Sequence, residues 1–137
     1  MDPAKILVVE DEVLLSQLYA DTLTGEGYHV DTAADGEEAL KKLGNGGWDL
    51  VLLDIILPKI DGIKLMRILK GMHPPKPNKC VVFLTNVDKD ERIKEALKFG
   101  DGYLIKSQIT PGDLLNEVRL YLTRYKDIES PQDNQSL

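Results

Sequence analysis

The stretch Asp49-Leu50-Val51-Leu52-Leu53-Asp54-Ile55-Ile56-Leu57-Pro58 decides how the rest of the chain is read. Leu50 to Leu53 and Ile55 are apolar, a carboxylate stands among them at Asp54, and Pro58 forbids a strand to continue. A short, nearly continuous apolar run fits a strand covered on both faces, as at the centre of a parallel sheet. Asp54 then stands at the carboxyl end of that strand, the edge at which open α/β sheets bind their ligands.

The same unit recurs outward from this stretch. Before it, residues 6–9 read as a buried strand stopped by Glu10-Asp11-Glu12. Leu14, Leu15, Leu18, Tyr19 and Leu23 then recur at helical spacing, with Gly25 as the expected left-handed stop. Residues 28–33 alternate through His29 and Asp31 and predict a partly exposed strand near a sheet edge. Asp35, with Glu38 three residues on, opens a helix that ends near residues 44–47. After the central stretch, Ile60, Ile63, Leu65, Met66 and Leu69 make a helical face ended by Gly71, and the proline-rich residues 73–78 predict a rigid loop. Residues 80–84 form a fourth strand closing at Thr85. Asp88 and Glu91 repeat the cap spacing before a helix with Ile93, Ala96 and Leu97 inward and Gly100 as its stop. Residues 103–105 are a short fifth strand ended by Lys106, and Thr110-Pro111 starts a last helix whose stripe is Leu114, Val118, Tyr121, Leu122 and Tyr125.

Five strands each followed by a helix imply parallel strands joined by right-handed crossovers, a doubly wound α/β fold with helices on both faces. With 137 residues the chain is expected to hold one domain, residues 1–126, followed by a polar, disordered tail, residues 127–137. The net charge of -6 and pI near 4.9 provide no basic face for nucleic acid or for an anionic membrane. The one cysteine, Cys80, opens an apolar run and reads as a buried thiol in a reducing compartment. Too few apolar residues precede Glu10 for a signal peptide or a spanning helix, so a soluble, cytoplasmic protein is expected.

The polar residues at strand ends carry the chemistry: Glu10 and Asp11, Asp54, Thr85 and Lys106 all fall on one sheet edge. Three carboxylates brought together repel, which a divalent hard cation such as magnesium relieves with oxygen ligands. Each residue alone also has a plainer role: Asp11 as a helix cap, Asp54 as a turn cap, Thr85 as an ordinary strand-end residue, Lys106 as a solvated side chain. Unrelated caps have no reason to occupy the matching end of four strands.

Glu10-Asp11, Asp54 followed by Pro58 and Asp61-Gly62, Thr85, and Tyr103 three residues before Lys106 together resemble the receiver domain of two-component response regulators, over about residues 5–125. The resemblance implies strand order 2-1-3-4-5, the flavodoxin-like (CheY-like) arrangement, and a phosphoryl group passed to Asp54 from a histidine kinase or a histidine phosphotransfer protein. It implies that Asp11 and Asp54 bind Mg2+ (or Mn2+) directly, with the main-chain carbonyl of Ile56 as a third ligand and Glu10 acting through water. Thr85 and Lys106 would hold the phosphoryl oxygens. Thr85 and Tyr103 would couple the site to the face of the fourth helix, fifth strand and fifth helix, where a downstream protein binds. A receiver of this kind is a switch rather than an enzyme, at most catalysing its own phosphorylation and dephosphorylation, and is a monomer or a phosphorylation-dependent dimer.

Three positions depart from the family pattern: Glu10 stands where aspartate is common, Asn86 where a small residue is common, and Ser107 where proline with a cis peptide is usual. Ile56 and Val87, which by resemblance flank the phosphoryl group, are apolar and predict a long-lived aspartyl phosphate. Two rival classes share parts of the pattern. A haloacid-dehalogenase-like phosphatase wants a second acid two residues after its nucleophile, where Ile56 stands. A flavodoxin-like binding module wants a Ser, Thr and Gly-rich phosphate loop, where Glu10-Asp11 would repel the ligand. No G-x-x-x-x-G-K-[ST] motif occurs.

Overall fold

The computed structural model describes residues 2–86 and 91–129. Strands β1 (Lys5–Val9), β2 (His29–Ala33), β3 (Leu50–Asp54), β4 (Val81–Thr85) and β5 (Gly102–Ile105) alternate with helices α1 (Val13–Gly25), α2 (Gly36–Asn45), α3 (Gly62–Lys70), α4 (Arg92–Ala96) and α5 (Pro111–Glu129). All strand pairs are parallel and the sheet order is β2-β1-β3-β4-β5, the doubly wound arrangement. β3 is central, and all five of its residues are buried.

Strand alternation divides the core between the two faces. Leu50 and Leu52 of β3, with Ile6 and Val8 of β1, pack against Tyr19 and Leu23 of α1 and Leu114 and Val118 of α5. Val51 and Leu53, with Leu7 and Val9, pack against Ala39 and Leu43 of α2, Ile63 and Leu65 of α3, and Ile93 of α4. A near-continuous apolar strand is therefore two period-two patterns superposed. Each large side chain so buried contributes about 1.5–3 kcal/mol.

Caps set the helix starts. The Asp35 carboxylate accepts from Glu38 N at 2.9 Å while the Glu38 carboxylate accepts from Ala34 N at 3.0 Å, a reciprocal box at the start of α2. Ahead of α5, Thr110 N donates to the Asp113 carboxylate at 2.9 Å and Asp113 N to the Thr110 hydroxyl oxygen at 3.1 Å, closing the box on the capping residue itself, with Pro111 in the first turn.

Several boundaries differ from the sequence expectation. The left-handed residue after α1 is Gly27 (φ 101°), whereas Gly25 lies inside the helix. Of the α1 apolar set, Tyr19 and Leu23 are buried and Leu15 packs beside them, but Leu14 and Leu18 are exposed. Residues 15, 19 and 23 repeat every four positions along one stripe, while 14 and 18 lie one residue, about 100°, around the helix. α4 is a helix of five residues, followed by turns from Leu97 to Phe99; Asp88, its expected cap, lies outside the described residues, as does Val87. Lys106 does not simply end β5 but begins a 3-10 turn, Lys106–Gln108. α5 continues through Glu129, into the segment expected to be a disordered tail; residues 130–137 lie outside the described residues. No described helix is long and apolar enough to cross a membrane.

Candidate functional site

The carboxyl ends of the strands bring the expected residues together. Glu10 follows β1 directly, and its N–H donates to Ala33 O of β2 at 3.1 Å, so the edge strand holds it at the sheet margin. Asp54 is the last residue of β3 and Thr85 the last of β4. Glu10, Asp54 and Thr85 are the buried polar or charged residues of the described chain, whereas Asp11 is exposed at the rim.

Lys106 crosses from the end of β5 into this group. Its Nζ donates to Glu10 Oε1 and to Asp54 Oδ2, each at 2.8 Å, and only 8% of the side chain is exposed. The solvated lysine reading is thereby replaced by a buried bridge. The remaining carboxylate oxygens are also engaged: Glu12 N donates to Glu10 Oε2 at 3.1 Å, and Ile56 N donates to Asp54 Oδ1 at 3.2 Å. Burial pushes both carboxyl groups above their ordinary range, opposed mainly by their bonds to Lys106. Burial works against the Lys106 ammonium too, but the two carboxylates outweigh it and hold its pKa above the usual lysine value.

Glu10, Asp11 and Asp54 each offer one carboxylate oxygen, and the three oxygens lie within 4.8 Å of one another. Three hard oxygen donors, two of them buried, fit a hard divalent cation and do not fit a soft one. Ile56 lies in the bend after β3, with its side chain 53% exposed.

Thr85 pairs with Ile105 across the β4–β5 ladder, two positions beyond the pair of Phe83 with Tyr103. Thr85 is buried at the end of β4, while Tyr103, on the edge strand, is exposed. Among the described residues no peptide bond is cis, Lys106–Ser107 included, and the 3-10 turn after β5 carries Lys106 to the carboxylates.

Two contributors escape a reading of site chemistry alone. Gly62 N donates to Ile55 O at 2.8 Å, and a Cβ at Gly62 would run into the Asp54 carbonyl oxygen, so this glycine lets α3 start directly against the strand end. Its signal was present in the Asp61-Gly62 pair, in which Asp61 also caps α3 by accepting from Lys64 N at 2.9 Å. The second is Tyr19, which reads as one more apolar residue of α1 but carries a buried hydroxyl in the core between β1 and α5.

Residues 6–119 match the family model described as the response regulator receiver domain. The chain is 33% identical over 132 residues to the transcriptional regulatory protein TrcR of Mycobacterium tuberculosis, covering 96% of this chain and 50% of that protein. It is 38% identical over 128 residues to the alkaline phosphatase synthesis transcriptional regulatory protein PhoP of Bacillus subtilis, covering 93% and 51%. With the chemotaxis protein CheY of Treponema pallidum it shares 39% identity over 108 residues, covering 76% of this chain and 73% of that protein. The chain thus spans about half the length of the transcriptional regulators it matches. Among solved structures, a CheY-like response regulator receiver domain protein from Methanospirillum hungatei superposes with a TM-score of 0.78 at 28% identity, covering 91% of this chain and 98% of that one.

Proposed function

Since this chain belongs to the receiver domains of response regulators, a family of phosphorylation-dependent signalling switches and not of enzymes, we propose that Asp54 is its phosphoacceptor. The observation that carries this reading is the buried bridge: one ammonium shared at 2.8 Å between Glu10 and Asp54 at the end of the central strand. The other classes that share a strand-end carboxylate or the fold are not favoured by the family match.

In the proposed reaction an Asp54 carboxylate oxygen forms a bond to the phosphorus of a phosphohistidine on a kinase or a phosphotransfer protein. The phosphorus–nitrogen bond breaks, and the imidazole nitrogen keeps the electron pair. Asp11 and Asp54, with the Ile56 carbonyl, would hold Mg2+ directly and Glu10 through water. When bound, the ion would neutralise charge on the phosphoryl oxygens and orient them for transfer. Lys106 moves its hydrogen bonds from the carboxylates to the phosphoryl oxygens, and the Thr85 hydroxyl donates to them. Tyr103 follows Thr85 inward, so the face of α4, β5 and α5 changes for a downstream protein. This is a shift between two packings, with self-catalysed phosphorylation and loss of phosphate as the only chemistry. The reading places the protein in the cytoplasm, where kinase domains and magnesium are at hand, as a monomer or a phosphorylation-dependent dimer without direct contact to nucleic acid.

The test is incubation with magnesium and a small phosphodonor, followed by mass spectrometry. A gain of one phosphoryl group on Asp54, absent in Asp54→Ala, is expected. A phosphoryl group retained in that variant would sink the assignment.

A further inference from the structure

Tyr19 is 4% exposed, and its hydroxyl is the buried side-chain polar atom that lacks a hydrogen-bond partner among the described residues. A buried hydroxyl without a partner is costly, and tyrosine offers nothing to an apolar core that phenylalanine does not. Helical side chains lean toward the helix N-terminus. The N-terminus of α1 lies just after Glu10-Asp11-Glu12, and Tyr19 packs in the core with Ile6 and Val8 of β1, the alternate residues whose face of the strand leads on to Glu10, so this lean is toward the acidic group. The charges that act on the phenol agree with this direction. Burial raises its pKa to about 12, and Glu10, Lys106 and Asp54 are the next influences in turn.

We infer that Tyr19 is a positioning residue of the phosphorylated state, whose hydroxyl donates to the Glu10 carboxylate once Lys106 has turned to the phosphoryl group. The inference rests on the phosphoacceptor reading above. In the resting site Glu10 needs no further donor, because Lys106 Nζ serves Oε1 and Glu12 N serves Oε2. A phosphoryl group on Asp54 adds acceptors that compete for the Lys106 ammonium, and Oε1 of Glu10 then loses its partner inside the protein. Tyr19 supplies the replacement from below, from a side chain already ordered in the core. The unspent hydroxyl raises the free energy of the resting state, and the new bond lowers that of the phosphorylated one. Both effects bias the same equilibrium.

The experiment compares wild type, Tyr19→Phe and Asp54→Asn, using magnesium with beryllium fluoride as the phosphoryl analogue. In EDTA, Tyr19→Phe should melt at or above the wild-type temperature, since it removes an unpaired hydroxyl and little else. With magnesium and beryllium fluoride its apparent affinity for the analogue should be about tenfold weaker or more, the ratio that one hydrogen bond to a charged group is worth. In wild type labelled at tyrosine Cζ, hydroxyl exchange read from the H2O/D2O isotope splitting of the Tyr19 resonance should slow on addition of the analogue, and unchanged exchange would overturn the inference. Equal affinities for the analogue in wild type and Tyr19→Phe would overturn the inference and leave Asp54 as phosphoacceptor. A lower melting temperature of Tyr19→Phe in EDTA would also overturn it, showing the hydroxyl already bonded at rest, through a buried water. A wild type as unresponsive as Asp54→Asn would remove the phosphoacceptor reading and this inference with it.

Discussion

Replacing Lys106 with methionine isolates what the bridge contributes, because methionine keeps most of the buried stem and deletes the ammonium. The two carboxylates it would abandon are buried, with 0% of the Glu10 and 4% of the Asp54 side chain exposed. Breaking one partner out of a buried ion pair costs about 3–5 kcal/mol, against roughly 0–1 kcal/mol for an exposed pair. Here the low end, about 3 kcal/mol, is expected, because Ile56 N and Glu12 N still donate to the two acids. Such a loss lowers the melting temperature of a domain this size by about 10 °C. The domain stays folded, since its total stability is on the order of 7–20 kcal/mol. Thermal denaturation in EDTA reads this directly. Magnesium is expected to raise the melting temperature of Lys106→Met more than that of wild type, because the variant has lost the protein's own cation among the same donors. A drop smaller than about 2 °C in EDTA would refute the reasoning, placing the bridge with solvated surface pairs. An equal magnesium effect in both proteins would refute the idea that ammonium and divalent ion answer the same charge.

Further outcomes follow from single contacts. Gly62→Ala drives a methyl group into the Asp54 carbonyl, so a loss of about 1–3 kcal/mol in urea denaturation is expected, together with slower phosphorylation as the strand end shifts. Cys80 is buried and its thiol is pushed up to about 12, so the native protein is expected to resist thiol reagents at pH 8 and to react once unfolded. Because the folded state holds that proton more tightly than an unfolded thiol near 8.5, the contribution is whole below about pH 8.5 and is lost as pH rises toward 12. Stability should fall there by up to about 1.4 kcal/mol per pH unit, and less steeply in Cys80→Ala. Ile56, beside the site with 53% of its surface exposed, can only shield a phosphoryl group from water. Ile56→Asn is expected to shorten the phosphate lifetime in magnesium buffer, and an unchanged lifetime would put its control elsewhere.

The order of elements was legible because β3 and β4 are apolar up to their last residues, Asp54 and Thr85, and are bounded by turn and cap residues that work locally. Asp35 with Glu38, and Thr110 with Pro111, form the caps that their spacing announces. The α1 interface was less legible, since Val13, Leu14, Leu15 and Leu18 make that helix apolar around much of its circumference. Periodicity then cannot choose which stripe packs, and the sheet chose 15, 19 and 23. The short α4 escaped for a different reason: Phe99 leaves the helix and lies under Arg67 and Lys70 at 6.0 and 5.8 Å, a tertiary contact with no local signal. Of the site, the residues that end strands could be named from topology alone. What topology could not show was that Lys106 is buried, because a lysine after a strand has the same sequence signature whether its ammonium reaches water or two acids.

The bridge also explains why the resting site is a poised arrangement instead of a frustrated one. Three carboxylates and one ammonium leave two negative charges unbalanced at the edge of the sheet, a deficit that a divalent cation matches. Until such an ion and a phosphoryl group arrive, Lys106 serves Glu10 and Asp54 together, and neither acid is abandoned. A phosphoryl group on Asp54 ends that sharing, since one ammonium has three protons to give and the new group alone brings three terminal oxygens. Whatever Lys106 releases must find another donor or raise the energy of the activated state. Glu10 is the acid most dependent on it, being wholly buried with a single backbone donor in reserve besides the water proposed to link it to the ion. On the proposed reading, the side chain that answers Glu10 helps set how much of the phosphorylation energy reaches the α4, β5 and α5 face, and among the described residues the buried hydroxyl without a partner is that of Tyr19.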